Sequence, residues 1–234
     1  MNTLVLLHGW GAGGGVWKAQ TAYFQDRVAV MTPTIPVWEA GWLAAFLEGL
    51  PLERCLLVGW SLGGMLLLEA WGRLHRQVAG GLVLTGTAPV FCRRPDYPWG
   101  QPPGVVRAMR QALKKDPGRV LHDFADQCLA PGETGFAAQT REAFASPAAP
   151  ATLAAGLDYL LGQDLRPILP QVPPGAVIIQ GEADRIVPPA QARFLGDHLA
   201  GAKLFPLRGA GHLPFLTQAP VFNRILESCL NPMH

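Results

Sequence analysis

An apolar run from Cys55 to Val58 passes through Gly59-Trp60-Ser61-Leu62-Gly63-Gly64 into a segment rich in helix formers, with Leu62, Met65, Leu66, Glu69 and Ala70 at helical spacing. A buried strand must therefore become a helix within a few residues. A chain turns that sharply only where side chains are missing, and the glycines remove the Cβ atoms that would collide. What remains at the apex is a serine, held out at the end of the strand with its Oγ at the positive end of the next helix. Gly-x-Ser-x-Gly by itself also describes ordinary turns. The strand before it and the helix after it make Ser61 a candidate nucleophile.

The same alternation runs through much of the chain. Apolar runs at Thr3–Leu7, Val28–Met31, Gly81–Thr85, Ala176–Gln180 and Lys203–Leu207 read as further strands. Helical patterns over Trp17–Gln25, Glu39–Leu50, Pro189–Leu199 and Ala219–Leu230 fall between or after them. With 49% apolar and 15% charged residues, this is the pattern of a parallel sheet covered on both faces. The rhythm stops between about Pro89 and Arg166. Prolines and Gly100 open that stretch, and four helical patterns follow at roughly 104–115, 117–129, 133–145 and 150–162. The expected organisation is α/β, with core segments 1–88 and 167–234 and a helical cap inserted at 89–166. A chain of 234 residues accommodates one domain with such an insertion.

The bulk properties exclude several classes. A net charge of +2 points to neither nucleic acid nor a membrane surface. Cys55, Cys92, Cys128 and Cys229 have no metal-ligand spacing. The Gly9–Gly15 loop lacks both a Gly-Lys-Ser/Thr sequence and an acidic residue ending the second strand, so it fits no nucleotide-binding fingerprint. No run is long enough to span a membrane. The first apolar run is too short for a secretory signal and lacks a basic stretch before it. A cytoplasmic monomer is expected.

A serine hydroxyl needs a base within reach and an acid to hold that base's tautomer. Of the six histidines, His8 reads as a residue orienting the glycine loop. His75 closes a helix, His122 and His198 lie within helical patterns, and His234 is terminal. Only His212 lies just beyond a late strand in a glycine-flanked loop, and Asp184 has the matching place after the preceding strand. Functional groups in parallel sheets gather at the carboxyl ends of strands. Ser61, Asp184 and His212 can therefore converge, and their chain order is that of one recurrent triad arrangement. The oxyanion hole is expected from the backbone N–H groups of Leu62, after the nucleophile, and Trp10, after the first strand. The Trp10 side chain can also cover the core.

Over its whole length the chain resembles the α/β-hydrolases. Within them it is similar to the carboxylesterases of biotin synthesis, the family that hydrolyses pimeloyl-acyl-carrier-protein methyl ester. The matching residues are Leu6-Leu7-His8-Gly9-Trp10-Gly11 with Trp17, Gly59-Trp60-Ser61-Leu62-Gly63-Gly64, Gly156-Leu157-Asp158-Tyr159-Leu160-Leu161 followed by Asp164-Leu165-Arg166, and Gly211-His212-x-Pro214-Phe215. The resemblance implies a serine esterase needing no metal or cofactor, with Trp10 and Leu62 against the substrate. It also implies that a cap phenylalanine, Phe124, lines the acyl channel. Members of that family usually begin with an antiparallel hairpin. Here Met1 stands two residues before the His-Gly-Trp strand, so a sheet of about six strands is expected. The Ala- and Pro-rich stretch Ser146–Pro150 also departs from the pattern, which makes the cap's substrate contacts less transferable than the triad.

One further signal is independent of the resemblance. Between Phe91 and Arg119 stand seven basic residues against only Asp96 and Asp116. Arg107, Arg110 and Lys114 fall on one helical face beside an apolar face of Val106, Met109 and Leu113. This is either a solvated face or a dock for an acidic carrier protein. The reading is a serine carboxylesterase acting on a methyl ester carried by such a protein. A general short-chain esterase and a non-catalytic binding protein of the same fold are its rivals. A dehalogenase is disfavoured because it would carry Asp at position 61.

Overall fold

The computed structural model describes residues 2–71, 73–74, 81–145 and 148–231. His75, His234 and the Ser146-Pro147 part of the Ala- and Pro-rich stretch lie outside the described residues. Six strands form one all-parallel sheet: β1 (Thr3–Leu7), β2 (Ala29–Met31), β3 (Cys55–Trp60), β4 (Gly81–Thr85), β5 (Val177–Gly181) and β6 (Lys203–Leu207), in the order β2-β1-β3-β4-β5-β6. The central strands are continuous apolar runs, and every residue of β3 is buried. Burial on both faces leaves no place for the polar alternation of a half-exposed strand.

Strand order reverses between β1 and β3. A crevice opens there at the carboxyl ends of the strands, between the loop after β1 and the turn after β3. The registers Leu7↔Gly59, Trp60↔Thr85 and Gly181↔Leu207 bring these ends level. The loops that follow β1, β3, β4, β5 and β6 therefore share one edge of the sheet.

Helices α1 (Lys18–Phe24), α2 (Ala40–Glu48), α3 (Leu62–Trp71), α8 (Pro189–His198), the short α9 (Pro214–Thr217) and α10 (Ala219–Leu230) accompany the sheet. Of these, α3 is apolar almost all round and buried, with only Glu69 partly exposed. It packs on β3 and α2 rather than facing solvent. Between β4 and β5 lie α4 (Pro103–Ala112), α5 (Pro117–Gln127), α6 (Ala137–Ala143) and α7 (Pro150–Gly162), with α4 packed on α7 and α5 on α6. Among the described residues this block contains isolated bridges, Cys92 with Gln101 and Arg94 with Tyr97, but no strand. The helical pattern expected at 133–145 divides in two. Pro131 and the glycines at 132 and 135 hold Pro131–Phe136 as a 3-10 turn, and α6 starts only at Ala137.

Candidate active site

The turn after β3 has the geometry its glycines imply. Ser61 has φ of +54°, the one non-glycine residue in the left-handed region among the described residues. Such strain in an ordered turn persists only where the surroundings impose it. They do so here. The Ser61 N–H donates to the Thr85 carbonyl at 3.0 Å, and the Ser61 carbonyl accepts from Met65 at 3.0 Å to start α3. A Cβ on Gly63 would lie 2.3 Å from the His8 carbonyl oxygen, and one on Gly64 would lie 2.1 Å from Thr87 Oγ1. The turn can be this tight only because both positions are bare.

Asp184 and His212 meet at the same edge of the sheet. His212 Nδ1 lies 2.8 Å from Asp184 Oδ2, and both side chains are fully buried. Asp184 Oδ1 accepts the N–H groups of Ile186 and Val187 at 2.8 and 2.9 Å. Oδ2 also accepts from Gln180 Nε2 at 3.1 Å. A carboxylate fixed in this way accepts a hydrogen bond from Nδ1–H, which leaves the Nε2 lone pair free. Nε2 is buried and has no hydrogen-bond partner among the described residues. His212 lies against Trp60, the residue before Ser61, with ring centroids 5.4 Å apart, and Trp60 Nε1 donates to the His212 carbonyl at 3.0 Å. A thiol is also close, but burial pushes Cys128 well above the ordinary thiol range, so it stays protonated.

The other titratable candidates are occupied elsewhere. Asp158 pairs with Arg110. Asp164 pairs with Arg166, whose hydrogen bonds hold its carboxyl below the usual range. His8 Nε2 accepts the Ile35 N–H at 3.0 Å, and Nδ1 bonds the Gly9 carbonyl at 2.9 Å. Burial lowers the His8 pKa, so it stays neutral and anchors the loop after β1. His122 and His198 are exposed.

That loop runs past the serine: a Cβ on Gly9 would lie 3.0 Å from Ser61 Cβ. Trp10 follows it, and Leu62 opens α3, where helix N–H groups have no intrahelical acceptor. Ser61 and Trp10 line a narrow cavity with Val106 and Met109 of α4, Phe124 of α5, Leu157 and Leu160 of α7, and the loop residues Phe91 and Ile186. Its free volume is about 20 Å³, little more than one water occupies. Phe124 stands edge-on to Trp10 at 5.1 Å and to Phe144 at 5.6 Å. Trp10 Nε1 donates to Leu153 of α7 at 2.8 Å. A larger hollow of about 290 Å³, lined by Leu56, Gly81, Val177 and Phe205 among others, opens at the starting ends of the strands and includes neither Ser61 nor His212.

The structure divides the basic cluster. Arg107 and Lys114 are exposed, and among the described residues neither forms a salt bridge. Arg110 instead bonds Asp158, with Nη2 2.8 Å from Oδ2, joining α4 to α7, two of the helices that line the cavity. Lys114 lies past the end of α4, in the turn before α5.

Several supporting residues were not legible in the sequence. Gln180 holds Asp184, Thr87 limits the approach of α3, and Gln101 Nε2 donates to the carbonyls of Arg185 and Ile186 at 2.6 and 2.8 Å. Only Gln180 carried a signal, as a lone amide near the end of an otherwise apolar strand run.

Comparison with known proteins agrees with the fold. The family described as "Alpha/beta hydrolase family" matches residues 4–225. The pimeloyl-acyl-carrier-protein methyl ester esterase of Aromatoleum aromaticum is 34% identical over 233 residues, covering 92% of this chain and 92% of that protein. The enzymes of the same name from Nitrosomonas europaea and Methylococcus capsulatus are 32% and 33% identical, covering 92% and 96% of this chain and 90% and 92% of their own lengths. Among solved structures, an esterase from Exiguobacterium antarcticum superposes with a TM-score of 0.87 at 23% identity, covering 98% of this chain and 92% of that one. A bromoperoxidase from Bacillus anthracis gives the same TM-score at 21% identity, with 98% and 91% covered. At those identities the two structures speak to the fold alone.

Proposed function

The chain belongs to the alpha/beta hydrolase family, and on that premise we propose that it is a serine carboxylesterase that cleaves the methyl ester of a pimeloyl chain carried on acyl carrier protein. The observation that carries the chemistry is the buried His212–Asp184 pair, its Nε2 unpartnered, packed on Trp60, the residue before a serine held at positive φ. Ser61 Oγ attacks the ester carbonyl while His212 Nε2 takes its proton. Asp184 stabilises the imidazolium and keeps the proton on Nδ1. The N–H groups of Leu62 and Trp10 receive the negative charge of the tetrahedral intermediate. The imidazolium then protonates the departing methoxide. Water, deprotonated by the same nitrogen, releases the acid from Ser61.

The apolar lining favours the acyl part of such a substrate. Each methylene buried there contributes roughly 0.8 kcal/mol. Residues 89–166 are read as a cap over the nucleophile, with Phe124 against the chain. A cavity of about 20 Å³ holds no such chain as it stands, so α4, α5 or α7 must shift to admit one. Arg107, Arg110 and Lys114 are read as the docking face for the acidic carrier, with Arg110 shared between the carrier and Asp158. No helix among the described residues is long and apolar enough to cross a membrane, and the reading is of a cytoplasmic monomer.

The test is complementation of a biotin auxotroph that lacks its own esterase of this kind, alongside a panel of p-nitrophenyl esters in vitro. Growth supports the carrier-bound substrate. Good turnover of short p-nitrophenyl esters without complementation favours the general esterase, and no hydrolysis of any ester favours a binding protein.

A further inference from the structure

We propose that Glu133 is a positioning residue for the base: its carboxylate ties the loop that presents His212 to the helical block over the site. The inference rests on the triad reading above. Glu133 lies in the 3-10 turn between α5 and α6 and is buried. Its Oε2 accepts the N–H of Ala130 at 2.8 Å and that of Gly211 at 2.9 Å. The first bond is local. The second reaches across the chain to the residue before His212. The next N–H in that loop, from His212 itself, donates to the Cys128 carbonyl at 2.8 Å. One short stretch, 128–133, therefore receives both consecutive N–H groups at the base.

The contact leaves no slack. A Cβ on Gly211 would lie 2.5 Å from the Cys128 oxygen and 2.8 Å from Glu133 Oε2, so the loop is pressed against the block backbone to backbone. From the other side Trp60 Nε1 donates to the His212 carbonyl. The peptide groups of His212 are thus held between Trp60 and Cys128, with Glu133 holding the N–H of the residue before it, while Asp184 fixes only the ring. A buried carboxylate is costly to retain, and Glu133 Oε1 has no partner among the described residues. What offsets that cost is a pair of charge-assisted bonds, about twice as strong as neutral ones, one of them aimed at the base's own loop. Seating of the cap helices and orientation of His212 become one event. A misplacement of the reacting groups by about 1 Å costs roughly 10²-fold.

The test compares Glu133→Ala, Glu133→Gln and Glu133→Asp with wild type on p-nitrophenyl acetate, with rates normalised to the concentration of folded protein and His212→Ala as control. Glu133→Gln keeps an acceptor of the same reach; Asp is one methylene short. The expected result is a fall in kcat of about 10–10²-fold for Ala, with KM within about twofold and most of the rate regained by Gln. Should the Ala variant not fold, Asp and Gln carry the test, with Asp slow and Gln near wild type. A kcat within about twofold of wild type for Ala and Asp would overturn the inference, as would losses that only track a falling Tm. An inactive His212→Ala beside a normal Glu133→Ala sinks this inference alone, whereas an active His212→Ala sinks the triad reading.

Discussion

Replacing Asp184 by Asn tests the acid with almost no change in shape, and the surroundings dictate how the amide must sit. Two backbone donors, Ile186 and Val187, converge on Oδ1 at 2.8 and 2.9 Å. The amide oxygen has to stay there, because an NH2 group would leave both donors unpaired. The amide nitrogen therefore takes the place of Oδ2, facing His212 Nδ1. It can only donate, so Nδ1 must become an acceptor and the imidazole proton moves to Nε2, the atom that should take the proton of Ser61. Gln180 adds to the conflict. Its Nε2 sits 3.1 Å from Oδ2 and also donates to the carbonyls of Gly181 and Val187, so flipping it to relieve the donor–donor contact costs two further bonds. The loss expected from a wrong tautomer is about 10⁴ in kcat, or roughly 5.5 kcal/mol of transition-state stabilisation. Steady-state hydrolysis of p-nitrophenyl acetate measures it, with Asp158→Asn and Asp164→Asn as controls. Both controls should stay near wild type, since those carboxylates face Arg110 and Arg166. An Asp184→Asn variant within about tenfold of wild type, or a comparable loss in either control, refutes the assignment.

Three further outcomes follow from the same geometry. Gly64→Ala places a methyl 2.1 Å from Thr87 Oγ1, so α3 must move off β3; activity and about 1–3 kcal/mol of stability should be lost, and Thr87→Ala in the same chain should restore part of both. Burial lowers the pKa of His8 in the fold, so between that lowered value and about 6.5 the unfolded chain binds more protons; stability should fall with acidification in that window and be flat above it, and His8→Gln should flatten the pH dependence of Tm below about 6.5. Charge reversal of the exposed Arg107 and Lys114, with Arg110 left on Asp158, should leave kcat/KM for a p-nitrophenyl ester nearly unchanged but lower it by roughly 10–10³ for the carrier substrate at low salt, with the gap closing as salt screens the encounter; an equal effect on both substrates would remove the docking face.

The sequence made the scaffold legible because its signals are local. A strand buried on both faces must be an apolar run, as Cys55–Val58 is, and a strand that turns into a helix at once must place small residues at the turn. Asp184 and His212 stood out only as polar residues just beyond late strands. Phe124 was assigned through the resemblance, and the structure places it on the cavity wall. What the sequence hid is long-range. Glu133 and Gly211 are far apart in the chain, and nothing near Glu133 marks it as a partner of the loop that carries His212. The basic face read as three free charges because i, i+3 spacing describes one helix; Asp158, on another helix, neutralises the middle one. The cavity's closure is equally silent in the sequence, since it depends on how α4, α5 and α7 pack together.

The most direct measurement is the rate of methanol release from pimeloyl-acyl-carrier-protein methyl ester by wild type and by Ser61→Ala. The account predicts rapid turnover by the wild type. It predicts a folded Ser61→Ala protein reduced to roughly 10³–10⁴ above the uncatalysed reaction, the residue left by oxyanion stabilisation and binding. A folded Ser61→Ala variant that releases methanol at close to the wild-type rate would contradict it.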